Sequence, residues 1–229
     1  ISMKKYGYQD LIKECNYKSV EIAKEAAKDK DVSVAGSVST YGYFYKDGTE
    51  KMKPYFNEHL KILSDAGVDL IILEAMSSQA DIVETLIECS SKIKLPIWLS
   101  ISCVFNEDKE INLGYDDDVS KNKPQIYENL KDSLKRFKKL HSGPMLVAHS
   151  NMSVTEDAVK ILKNNLDNII GAYPNRGYFV KPEWKFTDKI KSEDYLKSAK
   201  NWINSGAQII GGCCGIGVDE IKAISILKN

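Results

Sequence analysis

Two adjacent cysteines near the end of the chain are the residues with the clearest capacity for chemistry. Cys213 and Cys214 stand between glycines, in the sequence Gly-Gly-Cys-Cys-Gly at 211–215. Glycine permits backbone conformations closed to other residues and lets another group approach closely. Two thiolates presented at one point suit zinc. We therefore interpret the pair as a metal or redox site, rather than as two small residues that fill a tight corner.

The thiol pair follows a short apolar run and precedes a helical pattern, and the same alternation recurs along the chain. Short apolar runs typical of strands alternate with amphipathic segments typical of helices. The predicted strands are 32–37, 68–74, 96–101, 144–148, 169–173 and 209–210. The predicted helices are 17–28, 55–66, 79–93, 126–140, 155–166, 192–205 and 219–227. We expect Gly67 to be the C-cap of the second helix and Thr155 to cap the fifth, and we expect a polar loop after the strand at 96–101. This alternation predicts a parallel sheet built from βαβ crossovers, in a single domain over residues 1–229.

Polar side chains follow the predicted strands at the point where each strand ends. They are Ser37, Glu74, Ser102, His149, Asn151, Tyr173, Asn175, Cys213 and Cys214. In a (β/α) barrel the active site is built from the carboxyl ends of the strands, and an open doubly wound sheet places its site there too. The chain lacks the usual glycine-rich dinucleotide loop, which disfavours the doubly wound alternative.

Composition narrows the partners and the compartment that we expect. The 229-residue chain carries 32 basic and 32 acidic residues, so its formal net charge is zero, which predicts no general attraction to nucleic acid or to an acidic membrane. No apolar run is long enough to cross a bilayer, and we recognise no signal peptide. Cys15, Cys89 and Cys103 are widely scattered, which indicates a reducing, cytoplasmic environment. Small-molecule substrates are expected, and an oligomer is compatible with these features.

Four segments together resemble the homocysteine S-methyltransferase family of zinc-dependent (β/α)8 barrels. Residues 34–38 (Val-Ala-Gly-Ser-Val), 41–42 (Tyr-Gly) and 47–50 (Asp-Gly-Thr-Glu) are similar to the family's AGSxGPYG…DGSEY segment. Residues 73–76 resemble ETxP, residues 172–177 resemble YPNxG, and residues 211–215 match the GGCCG signature. The resemblance extends over essentially the whole chain. It implies a TIM-type α/β barrel, of which about six βα units are visible.

The resemblance also implies a reaction. A methyl group would pass from a sulfonium donor, S-methylmethionine or S-adenosylmethionine, to the zinc-activated thiolate of homocysteine, forming methionine. Cys213 and Cys214 would be two zinc ligands, and Glu74 would bind the homocysteine amino group. Ser37, Tyr173 and Asn175 are the other expected substrate-binding residues, the last two beside the donor. The segment at 36–42 resembles the branch that uses S-methylmethionine more than the betaine branch.

The third zinc ligand departs from the family pattern. The family's GxNC motif falls near residues 148–152, and an alignment on the asparagine puts Met152 where the cysteine belongs. An alignment on the glycine puts Asn151 there instead. Methionine and asparagine are both poor zinc ligands. We therefore expect His149 to supply the third ligand, with Cys103 as the alternative source of a sulfur.

Two rival hypotheses follow from the remaining departures. Family members begin with two further βα units, and six strands cannot close an eight-stranded barrel. We expect the chain either to be part of a longer one or to pair its sheet edges differently. The two missing βα units and the missing cysteine of the GxNC motif favour a degenerate barrel without zinc chemistry, which acts as a binding or partner subunit. A redox role for the thiol pair ranks third, because no resolving partner is evident.

Overall fold

A parallel sheet forms the centre of the molecule. The computed structural model describes residues 6–40, 48–116, 123–180, 183–185 and 190–228, and the statements below refer to them. Within these residues six parallel strands form one sheet in the order β1-β2-β3-β7-β8-β11. They are β1 (Ala35–Ser39), β2 (Leu70–Met76), β3 (Ile97–Ile101), β7 (Met145–Asn151), β8 (Ile170–Asn175) and β11 (Ile209–Ile210). The predicted TIM-type α/β architecture with about six βα units is confirmed.

Helices alternate with these strands along the chain. They are α1 (Ile12–Ala27), α2 (Thr49–Ala66), α3 (Ala80–Ser90), α4 (Leu130–Phe137), α5 (Met152–Asn165), α6 (Ser192–Asn204) and α7 (Val218–Ile224), with 3₁₀ turns at Gln9–Leu11 and Ser225–Leu227. The helices pack on one face of the sheet, where strand residues such as Ile71, Leu99 and Val147 are fully buried. No helix in the described part of the chain is long and apolar enough to span a membrane.

Side chains alternate between the two faces of a strand, so the register assigns the residues of the inner face. Ser39 of β1 pairs with Glu74 of β2, and Ala148 of β7 pairs with Tyr173 of β8. The Tyr173 hydroxyl contacts the Glu74 carboxylate, so these residues belong to the same, inner face of the sheet, opposite to the helices. Near the carboxyl ends of the strands this face is polar, as the sequence predicts.

A smaller antiparallel sheet interrupts the βα alternation after β3. It consists of β4 (Cys103–Phe105), β5 (Ile111–Tyr115) and β6 (Gln125–Asn129), paired in that order. The prediction of a polar loop followed by a helix over 126–140 is wrong here, because residues 125–129 are a strand and the helix ends at Phe137. Ile126 lies at helical spacing from Leu130 and Leu134, which explains the error. A second short pair, β9 (Tyr178–Val180) and β10 (Glu183–Lys185), was also not predicted.

Two predicted helix caps have different outcomes. Gly67 ends α2 in the left-handed conformation at φ +85°, and its N–H bonds the carbonyls of Leu63 and Ser64, as predicted for a glycine C-cap. The prediction that Thr155 caps a helix is wrong. Asn151 is the N-cap of α5, and its side chain accepts a hydrogen bond from the Ser153 N–H. Because asparagine is a strong N-cap, the helix begins at Met152, directly after β7 and three residues before the predicted start at Thr155.

Gly171 is required by the packing of the inner face, and we expect Gly171→Ala to destabilise the protein by about 1–3 kcal/mol through overpacking. An added Cβ would lie 2.5 Å from Leu146 Cδ2 and 3.0 Å from Ile209 Cβ. Gly36→Ala is the matched control, because its Cβ would meet Leu63 Cδ1 at a less severe 3.2 Å. Urea unfolding of both variants measures the difference. Equal losses of stability would contradict this account of the packing.

Candidate functional site

The two predicted metal-binding thiols lie in the loop that follows β11. Their Sγ atoms are 3.9 Å apart, and both residues are half-buried. Backbone hydrogen bonds tie this loop to the end of β8: the Cys213 N–H donates to the Pro174 carbonyl at 3.0 Å, and the Arg176 N–H donates to the Cys214 carbonyl at 2.7 Å. The GGCCG and YPN segments therefore form one interlocked structure.

Tyr195 of α6 supports the thiol loop from the outside. Its side chain is fully buried, and its hydroxyl donates to the Gly211 carbonyl at 2.5 Å. The ring packs edge-on against Trp202, with the ring centres 5.5 Å apart. Burial raises the pKa of the Tyr195 hydroxyl, which keeps it protonated as a donor. The sequence analysis missed this residue, whose only signal was an aromatic side chain on the buried face of a predicted helix.

The spacing of the thiols fits a zinc ion. Two thiolates at about 2.3 Å from one tetrahedral zinc lie about 3.8 Å from each other. The Cys213 and Cys214 sulfurs, 3.9 Å apart, already have that spacing. The fit stops at two donors, because no group of three or more His, Cys, Asp or Glu side chains within the described ranges is arranged to hold a metal ion. His149 is the candidate for the third, since its imidazole is near enough to Cys213 to lower the pKa of that thiol.

His149 has an unusual backbone conformation at the end of β7. Its φ is +47°, in the left-handed region that favours glycine, and the strand register shifts between Ala148 and Asn151. The Ser102 hydroxyl donates to the His149 carbonyl, and the Tyr115 ring lies 6.4 Å from the imidazole, centre to centre. A glycine-like conformation at residue 149 supports the alignment on the asparagine of GxNC. In that alignment Met152 takes the place of the family cysteine.

The surroundings of Cys213 disfavour a nucleophilic or redox role for its thiol. The hydrogen bond to Cys214 raises the pKa of the Cys213 thiol, burial raises it further, and the contact with His149 opposes both. A thiol with a raised pKa is largely protonated near neutral pH and reacts slowly as a nucleophile, because the thiolate is the reactive form. This disfavours the redox hypothesis.

Cys103, the alternative third donor, lies in a different environment. Its side chain is 1% exposed and belongs to the hydrophobic core, and its backbone N–H bonds the Ser150 hydroxyl at 2.8 Å. Burial raises the pKa of its thiol. These features are those of a buried structural cysteine.

Glu74, at the end of β2, is held by two hydroxyl groups. The Ser100 hydroxyl donates to Glu74 Oε1 at 3.0 Å. The Tyr173 hydroxyl lies 2.9 Å from Oε1 and 3.1 Å from Oε2. Burial, and then the charge of Glu74, raise the pKa of the Tyr173 hydroxyl, so it donates to the carboxylate. The sequence analysis did not predict Ser100 as a site residue. Its only signal was that it is a polar residue inside an otherwise apolar strand.

The remaining predicted substrate-binding residues lie on β1 and β8 and make no direct pairing with Glu74. Ser37 is exposed on β1, on the inner face of the sheet, where its Cα pairs with Ile72. Ser39 rather than Ser37 is the residue that pairs with Glu74. Asn175 is buried at 4% exposure and pairs with Asn151 of β7. The predicted Tyr-Gly motif at 41–42 lies outside the described residues.

Known proteins with similar sequences transfer methyl groups to thiols and selenols, according to their names. A family model for homocysteine S-methyltransferase matches residues 1–227. The chain is 28% identical over 220 residues to homocysteine S-methyltransferase 1 of Zea mays, which covers 86% of this chain and 62% of the relative. It is 26% identical over 219 residues to selenocysteine methyltransferase of Astragalus bisulcatus, covering 86% and 59%. The chain thus spans about three fifths of the length of these relatives.

Solved structures agree with the fold. The apo form of the homocysteine methyltransferase MmuM from Escherichia coli superposes with a TM-score of 0.67 at 23% identity, covering 93% of this chain and 73% of that one. Its metallated form gives a TM-score of 0.65 at 22% identity, covering 94% and 71%. At these identities the likeness concerns the fold alone. The family model, which spans nearly the whole sequence, shows that the chain belongs to the homocysteine S-methyltransferase family.

Proposed function

We propose that this protein transfers a methyl group from a sulfonium donor to homocysteine, forming methionine. The observation that carries the proposal is the juxtaposition, on the inner face and at the carboxyl ends of the strands, of a thiol pair with zinc-ligand spacing and a fixed carboxylate. Tyr173 links the two: its hydroxyl contacts Glu74, and its Cβ lies 3.3 Å from where a Cβ on Gly211 would be. Homocysteine carries a thiol and an ammonium group, one for each of these features.

In this proposal Cys213, Cys214 and His149 hold a zinc ion. When bound, the zinc stabilises the thiolate form of a coordinated thiol, so that it is ionised near neutral pH. Tyr195 and the backbone bonds to the end of β8 keep the two cysteine side chains together. Both the metal and its third ligand are proposed. Among the described residues the two thiols have the spacing of zinc ligands, and no group of three such side chains is arranged around a metal ion.

The chain's own residues orient the reactants. Glu74 accepts the ammonium group of homocysteine, and this fixes the direction of the thiolate sulfur. That sulfur attacks the donor's methyl carbon in line, the carbon–sulfur bond of the sulfonium breaks, and the donor leaves as a neutral thioether. Orientation accounts for much of the acceleration. We assign Ser37 and Asn175 to the substrate-binding surface, and on the resemblance of residues 36–42 we favour a sulfonium donor, S-methylmethionine or S-adenosylmethionine, over betaine.

The decisive experiment is methyl transfer by the purified full chain. We expect homocysteine with a carbon-13 backbone and unlabelled S-methylmethionine to give labelled methionine from the acceptor, beside the unlabelled methionine that leaves as the demethylated donor. Mass spectrometry separates the two products, and chelation of zinc is expected to abolish the labelled one. S-adenosylmethionine in place of S-methylmethionine identifies the donor. A zinc-free protein that binds homocysteine and forms no methionine with either donor would overturn the proposal in favour of the binding or partner subunit.

We also infer a cytoplasmic protein that acts on small molecules as one unit over residues 1–229. The inferred compartment rests on the wide spacing of Cys15, Cys89 and Cys103 along the sequence. The zero net charge gives no reason to expect nucleic acid as a partner.

A further inference from the structure

Glu74 is a half-buried carboxylate whose observed partners are both neutral. Its oxygens accept hydrogen bonds from the hydroxyls of Ser100 and Tyr173. Of the ion pairs formed among the described residues, none includes Glu74. A carboxylate removed from water is costly unless it is paired with a cation or well hydrogen-bonded. The two hydroxyls satisfy part of this requirement and leave the negative charge uncompensated.

A directed chain of hydrogen bonds sets the orientation of Glu74. The Ala75 N–H donates to the Ser100 hydroxyl at 3.3 Å, so that the hydroxyl proton is free to point at Glu74 Oε1. Ala75 makes this contact from a left-handed conformation, with φ +52°, beside a shift in the register of β2 against β3. Left-handed conformations of residues other than glycine cost free energy and cluster at functional sites.

Tyr173 reaches Glu74 from the far side of the inner face. Two strands, β7 and β3, lie between β8 and β2 in the sheet. The residue of β7 that pairs with Tyr173 is Ala148, whose single methyl group leaves space for the long tyrosine side chain. The Tyr173 ring therefore extends from the thiol loop to the carboxylate.

We propose that Ser100 and Tyr173 are positioning residues that hold Glu74 as a receptor for the ammonium group of an amino-acid thiol, selenol or thioether. Two hydroxyl protons occupy about two of the roughly four lone-pair directions of a carboxylate. The others stay available to an ammonium group, which supplies both the missing charge and further donors. This inference rests on the proposed function, which already assigns the ammonium group to Glu74, and it adds the role of Ser100 and Tyr173.

The test compares a ligand that has the ammonium group with one that lacks it. L-Methionine and 4-(methylthio)butanoate differ only in that group, and neither carries a thiol that needs activation. Isothermal titration gives the ratio of their dissociation constants. We expect the wild-type protein to prefer methionine, and Tyr173→Phe and Ser100→Ala each to lower that preference about tenfold, as for a weakened hydrogen-bonded charge. Binding of 4-(methylthio)butanoate is expected to stay unchanged.

Two controls separate positioning from general damage. Ser100→Thr keeps the hydroxyl and is expected to retain the preference. Ser133→Ala removes another buried serine hydroxyl, one that bonds the Asn129 carbonyl instead of Glu74, and is expected to leave the ratio of dissociation constants unchanged. Circular dichroism verifies that each variant is folded.

The outcomes distinguish this inference from the proposed function. Equal preference for methionine in wild type, Tyr173→Phe and Ser100→Ala would overturn the positioning role. A wild-type protein with no preference for methionine would overturn the ammonium receptor itself. Failure of methyl transfer, with the ammonium preference present and dependent on Tyr173 and Ser100, would instead overturn the proposed function and leave the receptor standing.

Discussion

Replacing Glu74 with glutamine is expected to raise the KM for homocysteine by roughly a hundredfold, because it removes the charge that the substrate's ammonium group would pair with. Glutamine has nearly the same shape, and its amide oxygen can still accept the hydrogen bonds from Ser100 and Tyr173. The fold should therefore survive. Steady-state kinetics of methionine formation, with homocysteine varied at saturating donor, measures the change.

Glu107→Gln is the matched control for this prediction. Its side chain is 85% exposed and forms an ion pair with the exposed Lys123 at 3.1 Å, so the same chemical change should leave KM unaltered. If Glu74→Gln kept the wild-type KM, the ammonium group would have to bind elsewhere. An equal fall of kcat and rise of KM with a lowered melting temperature would point instead to a loss of structure.

Much of the fold was accessible from sequence because the signals there are local. The parallel strands are short apolar runs, and the cap at Gly67 follows from the conformational freedom of one glycine in one position. The small antiparallel sheet was not accessible. All five residues of β6 are half-buried, and the helical spacing of Ile126 with the next turn of α4 outweighed the weak strand signal.

In the candidate site, too, the residues marked by local sequence signals were predicted, and the contacts that depend on tertiary structure were not. Cys213, Cys214 and Glu74 stand out by residue type at strand ends, and their positions needed only the alternation of strands and helices. The contact of Tyr173 with Glu74 joins strands that are three places apart in the sheet, and it depends on register and on the small Ala148 between them. The left-handed backbone of His149 was not predicted, because this conformation is rare for a residue other than glycine.

Changing Cys213 to serine is expected to remove zinc from the protein and to slow methyl transfer by roughly a thousandfold, the scale of losing a metal's stabilisation of charge. Serine is neutral at working pH and replaces a soft thiolate with a hard hydroxyl, so only Cys214 would remain of the pair. Elemental analysis of the freshly reduced protein should give about one zinc per chain for wild type and much less for the variant. Cys15→Ser, which alters an exposed cysteine, should keep the metal.

The same measurement decides the third ligand. His149→Gly removes the imidazole and places glycine where the backbone φ is +47°, so the fold should tolerate it and the zinc content should fall. Adding Met152→Cys to this variant restores the pattern of the family, and we expect zinc to return with it. In cobalt-substituted protein, the thiolate-to-metal absorption should strengthen, because the metal then has three sulfur ligands. If His149→Gly alone kept its zinc, the imidazole would not be a ligand, and the metal would be held by the thiol pair with donors from elsewhere.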